Sequence, residues 1–261
     1  MKTIIGLGLV LGLSCMAACD EDATNHGALV FRSSDGDLTP PPTIGLSIPN
    51  GLNDPSVSGL DTGFGLATND GLDEGGGLLS TSAGRSVARY LVECALPPGD
   101  SITKDVGEGL LELHGLLGLA PEWKEGACDE DCQQWVSACL LARTNASGQE
   151  VWIWVTADHP AIGLGPSSAY PLYEATYFGN VLAAEPTRYA CRGTPEGQAA
   201  AIANGRTCAE DFELCGITAY DDCVQHQRCI DEQGFYTECA EGATADGAVY
   251  PTISVFVSTP E

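Results

Sequence analysis

The sequence predicts an α+β domain cross-linked by disulfides, set behind an acidic Gly/Leu-rich stalk and a secretory leader. Three observations predict it. Strong helical and strand periodicities both occur after about residue 82 and do not alternate regularly, which argues against a barrel or a bundle. Ten of the twelve cysteines lie after residue 93, a density that suits an oxidising compartment better than a reduced cytosol. From Asp20 to Ser80 there is no cysteine, and ten acidic residues face one basic residue, Arg32, among many Gly, Pro, Ser, Thr and Asn.

The leader comes first. Lys2 is followed by an apolar run from Ile4 to Leu13, too short to span a bilayer, and the segment closes on Ala17, Ala18 and Cys19 before Asp20-Glu21-Asp22. Small residues before a cysteine give the layout of a bacterial lipoprotein signal, with residues 1–18 removed and the Cys19 sulfur alkylated by diacylglycerol. Cleavage there removes Cys15 and commits Cys19 to lipid. Ten cysteines remain, an even set suited to five disulfides. Cleavage elsewhere would leave two cysteines without a role.

Residues 19–81 read as the lipidated cysteine and a flexible low-complexity stalk. Too little apolar surface is present to offset the entropy of ordering it. Gly-Leu recurs at 45–46, 51–52, 59–60, 65–66, 71–72 and 77–78. A hexad of this kind could stack as a small parallel solenoid, but one leucine per six residues makes a thin core, and Pro49 and Pro55 interrupt it. The expectation is a disordered stalk.

Residues 82–261 form the expected cysteine-rich domain. Val87, Tyr90, Leu91 and Cys94 recur at helical spacing, with Ser82 or Ser86 as cap and Pro97-Pro98-Gly99 as stop. Leu110 to Leu119 reads as a weak strand pair broken by glycine. The segment Cys128 to Arg143 is the best helix: positions 132, 135, 136, 139 and 140 form one apolar stripe, and acidic residues sit at its positive end. Val151–Val155 reads as a strand, and Tyr250–Val257 as the last one.

The ten cysteines Cys94, Cys128, Cys132, Cys139, Cys191, Cys208, Cys215, Cys223, Cys229 and Cys239 allow about 900 pairings. One pairing is excluded by geometry. Cys132 and Cys139 lie on one helical face about 10 Å apart along the axis, so each needs a partner elsewhere, Cys94 being a candidate.

Charge narrows the partners. Eleven Lys plus Arg against 36 Asp plus Glu give a formal charge of −25, which repels phosphate backbones and anionic headgroups. Nucleic acid is therefore not expected as a partner, and membrane contact is expected through lipid on Cys19.

Local catalytic motifs are missing. Gly165-Pro-Ser167-Ser-Ala169 lacks the final glycine of a nucleophile elbow, and there is no His-Glu-x-x-His or phosphate-cradling glycine loop. Asp158-His159-Pro160 reads as a turn, because adjacent residues rarely face each other as a relay requires. Cys223-Val-Gln-His226-Gln-Arg-Cys229 has zinc-like spacing, with Cys215 or Cys239 to complete it, but an even cysteine count in an oxidising compartment favours disulfides. Asp221-Asp222, Glu130-Asp131 and Asp35-Gly-Asp37 read as solvated acidic turns rather than calcium ligands. No catalytic residue, metal ligand or cofactor is assigned. Asn145-Ala-Ser147 fits a glycosylation sequon but reads as a helix-ending loop.

Trp152 and Trp154 alternate on one strand and project from one face. On a solvent face they form an aromatic ligand platform for a sugar ring or a partner side chain. Inside, they are core, which is the expectation.

The Gly-Leu-rich segment, Arg89-Tyr-Leu-Val-Glu-Cys94-Ala-Leu-Pro-Pro, Leu116-Leu-Gly-Leu-Ala-Pro-Glu-Trp123 and Trp135-Val-Ser-Ala-Cys139-Leu-Leu-Ala-Arg143-Thr-Asn145 together resemble a group of uncharacterised predicted lipoproteins of myxobacterial type. Tyr177-Phe-Gly-Asn180 and Tyr189-Ala-Cys191 are similar to later blocks of that group. The resemblance spans most of residues 45–257 and implies a secreted cysteine-rich domain without implying an activity. The resulting expectation is a lipid-anchored cell-envelope protein facing the periplasm or the exterior, acting as a binding or interaction module. Its partners would be the bilayer, through Cys19, and an envelope or extracellular partner. The alternatives are an extracytoplasmic hydrolase built from distant loops around His114 or His159, and a structural envelope protein.

Overall fold

The computed structural model describes residues 45–57, 59–223, 229–232, 235–242 and 247–260. The leader, Cys19, the first part of the expected stalk, Asp35-Gly-Asp37 and His226 lie outside them. The elements run β1 (Leu46–Asn50), α1 (Ser82–Ala95), β2 (Ser101–Asp105), β3 (Leu110–His114), α2 (Glu130–Ala142), β4 (Val151–Thr156), β5 (Leu172–Phe178), β6 (Tyr189–Arg192), α3 (Pro195–Ala203), α4 (Thr207–Glu210), β7 (Thr218–Asp222), β8 (Cys229–Glu232), β9 (Phe235–Ala240), β10 (Val249–Pro251) and β11 (Ile253–Val257). The mixed α+β class is as the sequence predicts.

A six-stranded sheet in the order β1-β4-β11-β5-β6-β7 organises the molecule, antiparallel except for the parallel pair β6–β7. A three-stranded sheet, β10-β9-β8, and the hairpin β2–β3 complete the strands. Strand alternation divides the large sheet into two faces. Ile48, Ile153, Val155, Val255, Ala175 and Tyr177 are buried on the inner face, where α2 and α3 pack on β5 and β11 and α1 packs on α2. Trp152, Trp154, Phe256, Tyr173 and Phe178 point to the outer face, whose β5–β6 side is covered by the small sheet through Tyr236 and Tyr250.

A bulge in β5 decides one buried contact. The β11 register jumps from Val255↔Ala175 to Phe256↔Tyr173, so Glu174 is left out of the ladder. An unpaired residue at a bulge can be re-aimed, and the Glu174 carboxylate meets Arg206 on the helix-covered side.

The helices follow their local signals with small corrections. α1 is capped by Thr81, whose hydroxyl accepts from the Gly84 N–H, rather than by Ser82 or Ser86. α2 starts after Asp129, whose carboxylate accepts from the Cys132 N–H, and ends at Ala142 with Arg143 as its C-cap. Arg143 is held elsewhere: its guanidinium donates to the Pro49 carbonyl at 3.0 Å and to Glu93 at 2.5 Å.

The strand expectations need more revision. The hairpin pairs Ser101–Asp105 with Leu110–His114, not two halves of 110–119. The expected terminal strand splits at Thr252, so that β10 joins the small sheet and β11 the centre of the large one. Asn145 is buried and used internally, donating to the Gln149 and Gly205 carbonyls and accepting from Thr207, as a structural loop requires.

The largest correction concerns the stalk. From Gly45 the chain belongs to the folded unit, not from Ser82. Leu52, Leu66, Leu72 and Leu78 of the Gly-Leu repeat are buried in the main core. The repeat is no parallel solenoid either, since Leu60 and Leu72 bridge antiparallel. Each of these four leucines fills the core while its glycine permits close backbone approach; Leu46 and Leu60 are partly buried against it. A Cβ on Gly71 would lie 2.2 Å from the Gly65 carbonyl oxygen, and one on Gly65 2.4 Å from Glu125 backbone. A composition count misses this because these leucines are buried with residues from the rest of the domain, which no window of the sequence shows.

All ten cysteines pair: Cys94–Cys139, Cys128–Cys132, Cys191–Cys223, Cys208–Cys215 and Cys229–Cys239. Cys132 and Cys139 have separate partners, and Cys139 takes Cys94, tying α1 to α2. Five disulfides place the folded domain in an oxidising environment. Among the described residues, no helix is long and apolar enough to cross a membrane.

Candidate functional site

The open part of the outer face is the candidate site. β4 supplies Trp152 and Trp154 on one side of the sheet, with Ile153 buried on the other. The two tryptophans share a face, as their alternation requires, but they are not core. Trp152 is 52% exposed and lies opposite Pro49 of the edge strand β1.

Trp154 is half-buried and fixed. Its indole N–H donates to the Gly165 carbonyl at 2.9 Å, and its ring stacks on Tyr170 with centroids 6.3 Å apart. Ser47 donates to the Tyr170 hydroxyl at 2.9 Å. A Cβ on Gly45 would come within 2.6 Å of the Trp154 ring, so that backbone lies directly on the indole.

The aromatic surface continues across the sheet. Phe256 is opposite Trp154 on β11, its ring 5.2 Å from Tyr173 and 6.1 Å from Phe235. All of these rings are half-buried. Tyr173 presents part of its ring while its hydroxyl is buried against Thr176 and the Cys223 sulfur; burial pushes that hydroxyl far above the usual tyrosine range. It remains a proton donor. The result is a band of aromatic surface mounted on rigid β-structure, with Trp152 as its most open member.

Sequence reasoning found the two tryptophans and missed Tyr170, Tyr173 and Phe256. Leu172–Phe178 carries apolar or aromatic residues on both faces of the sheet, so no alternation marks which of its side chains meets solvent.

No known protein family, curated protein or solved structure matches the chain. What the site can do follows from its own side chains.

The other features are engaged structurally. His159 packs edge-on against Trp135 at 4.8 Å, and its Nδ1 accepts from the Ala161 N–H. Desolvation lowers its pKa, against the opposing fields of Asp131, Glu122 and Asp158. It shapes a turn, as expected. His114 is exposed on β3, 3.9 Å from Glu112. Cys223 and Cys229, the ends of the zinc-like motif, belong to different disulfides, and Cys215 is bonded to Cys208.

A cleft of about 670 Å³ between the 69–80 loops and the β2–β3 turn is lined by Asp73, Glu74, Asp105 and Glu108, with Arg85 across it. Three of its acids are in use: Asp73 and Asp105 accept from the N–H groups of Gly75 and Gly107, and Arg85 pairs with Glu108 at 3.4 Å. Lys104 beneath it donates to the Ala67 and Thr68 carbonyls.

Proposed function

We propose that this protein is a lipid-anchored binding module of the cell envelope, tethered through acylated Cys19 and contacting its ligand through the aromatic face centred on Trp152. The observation that carries the reading is a half-exposed tryptophan set beside the fixed Trp154–Tyr170 stack on a disulfide-braced sheet. Such a surface offers flat apolar area at little cost in side-chain entropy. A sugar ring, apolar on one face and polar at its rim, fits this chemistry. The charge of −25 favours a neutral or cationic ligand over an anionic one.

Two measurements test the two halves of the proposal. Metabolic labelling with an alkyne-tagged fatty acid is expected to mark the wild-type chain and not Cys19→Ser, which is expected to leave the membrane fraction. Cosedimentation of the mature protein with peptidoglycan sacculi and with a neutral polysaccharide is expected to show binding that Trp152→Ala weakens roughly tenfold, about 1.4 kcal/mol. Binding unchanged by Trp152→Ala, or no binding to either, would overturn the platform reading.

A further inference from the structure

Three sulfurs meet where the small sheet sits on β6, and a fourth, that of Cys223, is bonded to one of them. Cys191 of β6 is bonded to Cys223 at the end of β7, while Cys229 of β8 is bonded to Cys239 directly opposite it on β9. The two disulfides nearly touch. Cys191 Sγ and Cys229 Sγ are 3.9 Å apart, and the sulfurs of Cys191, Cys229 and Cys239 all lie within 4.8 Å of one another. Among the described residues, this is the one group of three or more such ligands gathered so closely.

The spacing has a chemical meaning. Tetrahedral zinc holds thiolates at about 2.3 Å, which separates any two sulfurs by about 3.8 Å. The gap between the two disulfides already matches one edge of that tetrahedron. Opening the Cys229–Cys239 bond to the same separation moves each of its two sulfurs by only about 1 Å, and opening Cys191–Cys223 frees the fourth.

We propose that Cys191, Cys223, Cys229 and Cys239 form a tetrathiolate site for a soft divalent cation, closed as two disulfides in the oxidised domain and opened by reduction. Each disulfide takes two electrons and two protons from a dithiol, which leaves as its own disulfide. The four thiols then release four protons as one zinc or cadmium ion binds. The site is not the one suggested by the local Cys223–Cys229 motif, because Cys191 and Cys239 come from other strands.

Three features support it. Cys229 is half-buried, whereas Cys191, Cys223 and Cys239 are buried, so Cys229 is the member of the four most open to reductant and metal. The Tyr173 hydroxyl donates to Cys223 Sγ at 2.9 Å, a contact that stabilises a thiolate there and orients it as an outer ligand partner does. Phe178, Tyr236 and Tyr250 wall the sulfurs from water. In an oxidising environment the site is closed, and its metal capacity belongs to reduced states of the chain, including the one that precedes disulfide formation.

The test uses the full chain, reduced with a water-soluble phosphine, desalted without oxygen and titrated with Cd²⁺ alone. The expected result is one ion per chain, read as a thiolate-to-cadmium charge-transfer band in the ultraviolet. Alkylation and peptide mass spectrometry should then find Cys191, Cys223, Cys229 and Cys239 protected and the other six of the ten disulfide cysteines labelled. Cys191→Ser and Cys239→Ser should each weaken binding at least tenfold, and reoxidation should expel the ion. Protection scattered over all ten cysteines, as an unfolded chain would give, overturns the proposal. So does recovery of a Cys191–Cys229 disulfide with Cys223 and Cys239 free, which would make the 3.9 Å contact an exchange route instead.

Discussion

Arg206 closes side-on over Glu174 in full burial, with Nη2 at 2.6 Å and Nε at 2.9 Å from the two carboxylate oxygens. The same guanidinium donates to the Tyr177 hydroxyl and to the Ala142 and Thr144 carbonyls, so it joins β5 to the end of α2. Glu174 holds the Arg206 proton more firmly despite the desolvation that works against it. Glu174→Gln leaves a buried cation uncompensated and is expected to cost about 3–5 kcal/mol. Replacing both residues by apolar ones of similar volume should recover most of that loss. Urea unfolding of the two variants checks both statements.

Leu66 and Leu72 test where the domain begins. Both are fully buried, so Leu66→Ala or Leu72→Ala should destabilise by about 2–5 kcal/mol, as a truncated core leucine does. An unstructured stalk would predict no change. The midpoint of denaturant unfolding distinguishes the two.

The disulfides should differ in worth with the loops they close. Cys94–Cys139 spans 45 residues and Cys128–Cys132 spans 4. Loop entropy assigns about 4 kcal/mol to the first and about 2 kcal/mol to the second. Paired Cys→Ala variants compared by calorimetry should show the larger drop in melting temperature for Cys94/Cys139.

His159 should make stability depend on pH. Burial lowers its pKa in the folded state, so below the usual imidazole value near 6.5 the unfolded chain binds a proton that the folded chain resists. The contribution of neutral His159 is therefore complete above about pH 6.5 and declines as pH falls toward the folded pKa. Melting temperatures from pH 8 to 5 for wild type and His159→Asn should converge at the acid end; a constant gap would contradict this.

Local signals in the sequence suffice where one element settles its own fate. The stripe 132, 135, 136, 139 and 140 marks α2, and the rigid helix forbids a Cys132–Cys139 bond. Val151–Val155 marks β4 because its alternation survives inspection of five residues. By contrast, β5 and β6 carry no such local signal. Both lie in the middle of a sheet, and apolar residues on both faces erase the alternation that identifies a strand.

The sequence by itself determined the even set of ten cysteines, the acidic charge, the helical and strand character of the α+β class, and the shared face of Trp152 and Trp154. Those properties depend on counting and on the fixed periods of helix and strand. Only the tertiary structure decided which cysteines bond, that the Gly-Leu leucines enter the core, and that Trp152 faces solvent while Trp154 is clasped by Gly45 and Tyr170. It also brought Cys191 within 3.9 Å of Cys229. Each of these depends on which distant segment covers a given face, and that is set by the packing of the whole chain rather than by any window along it.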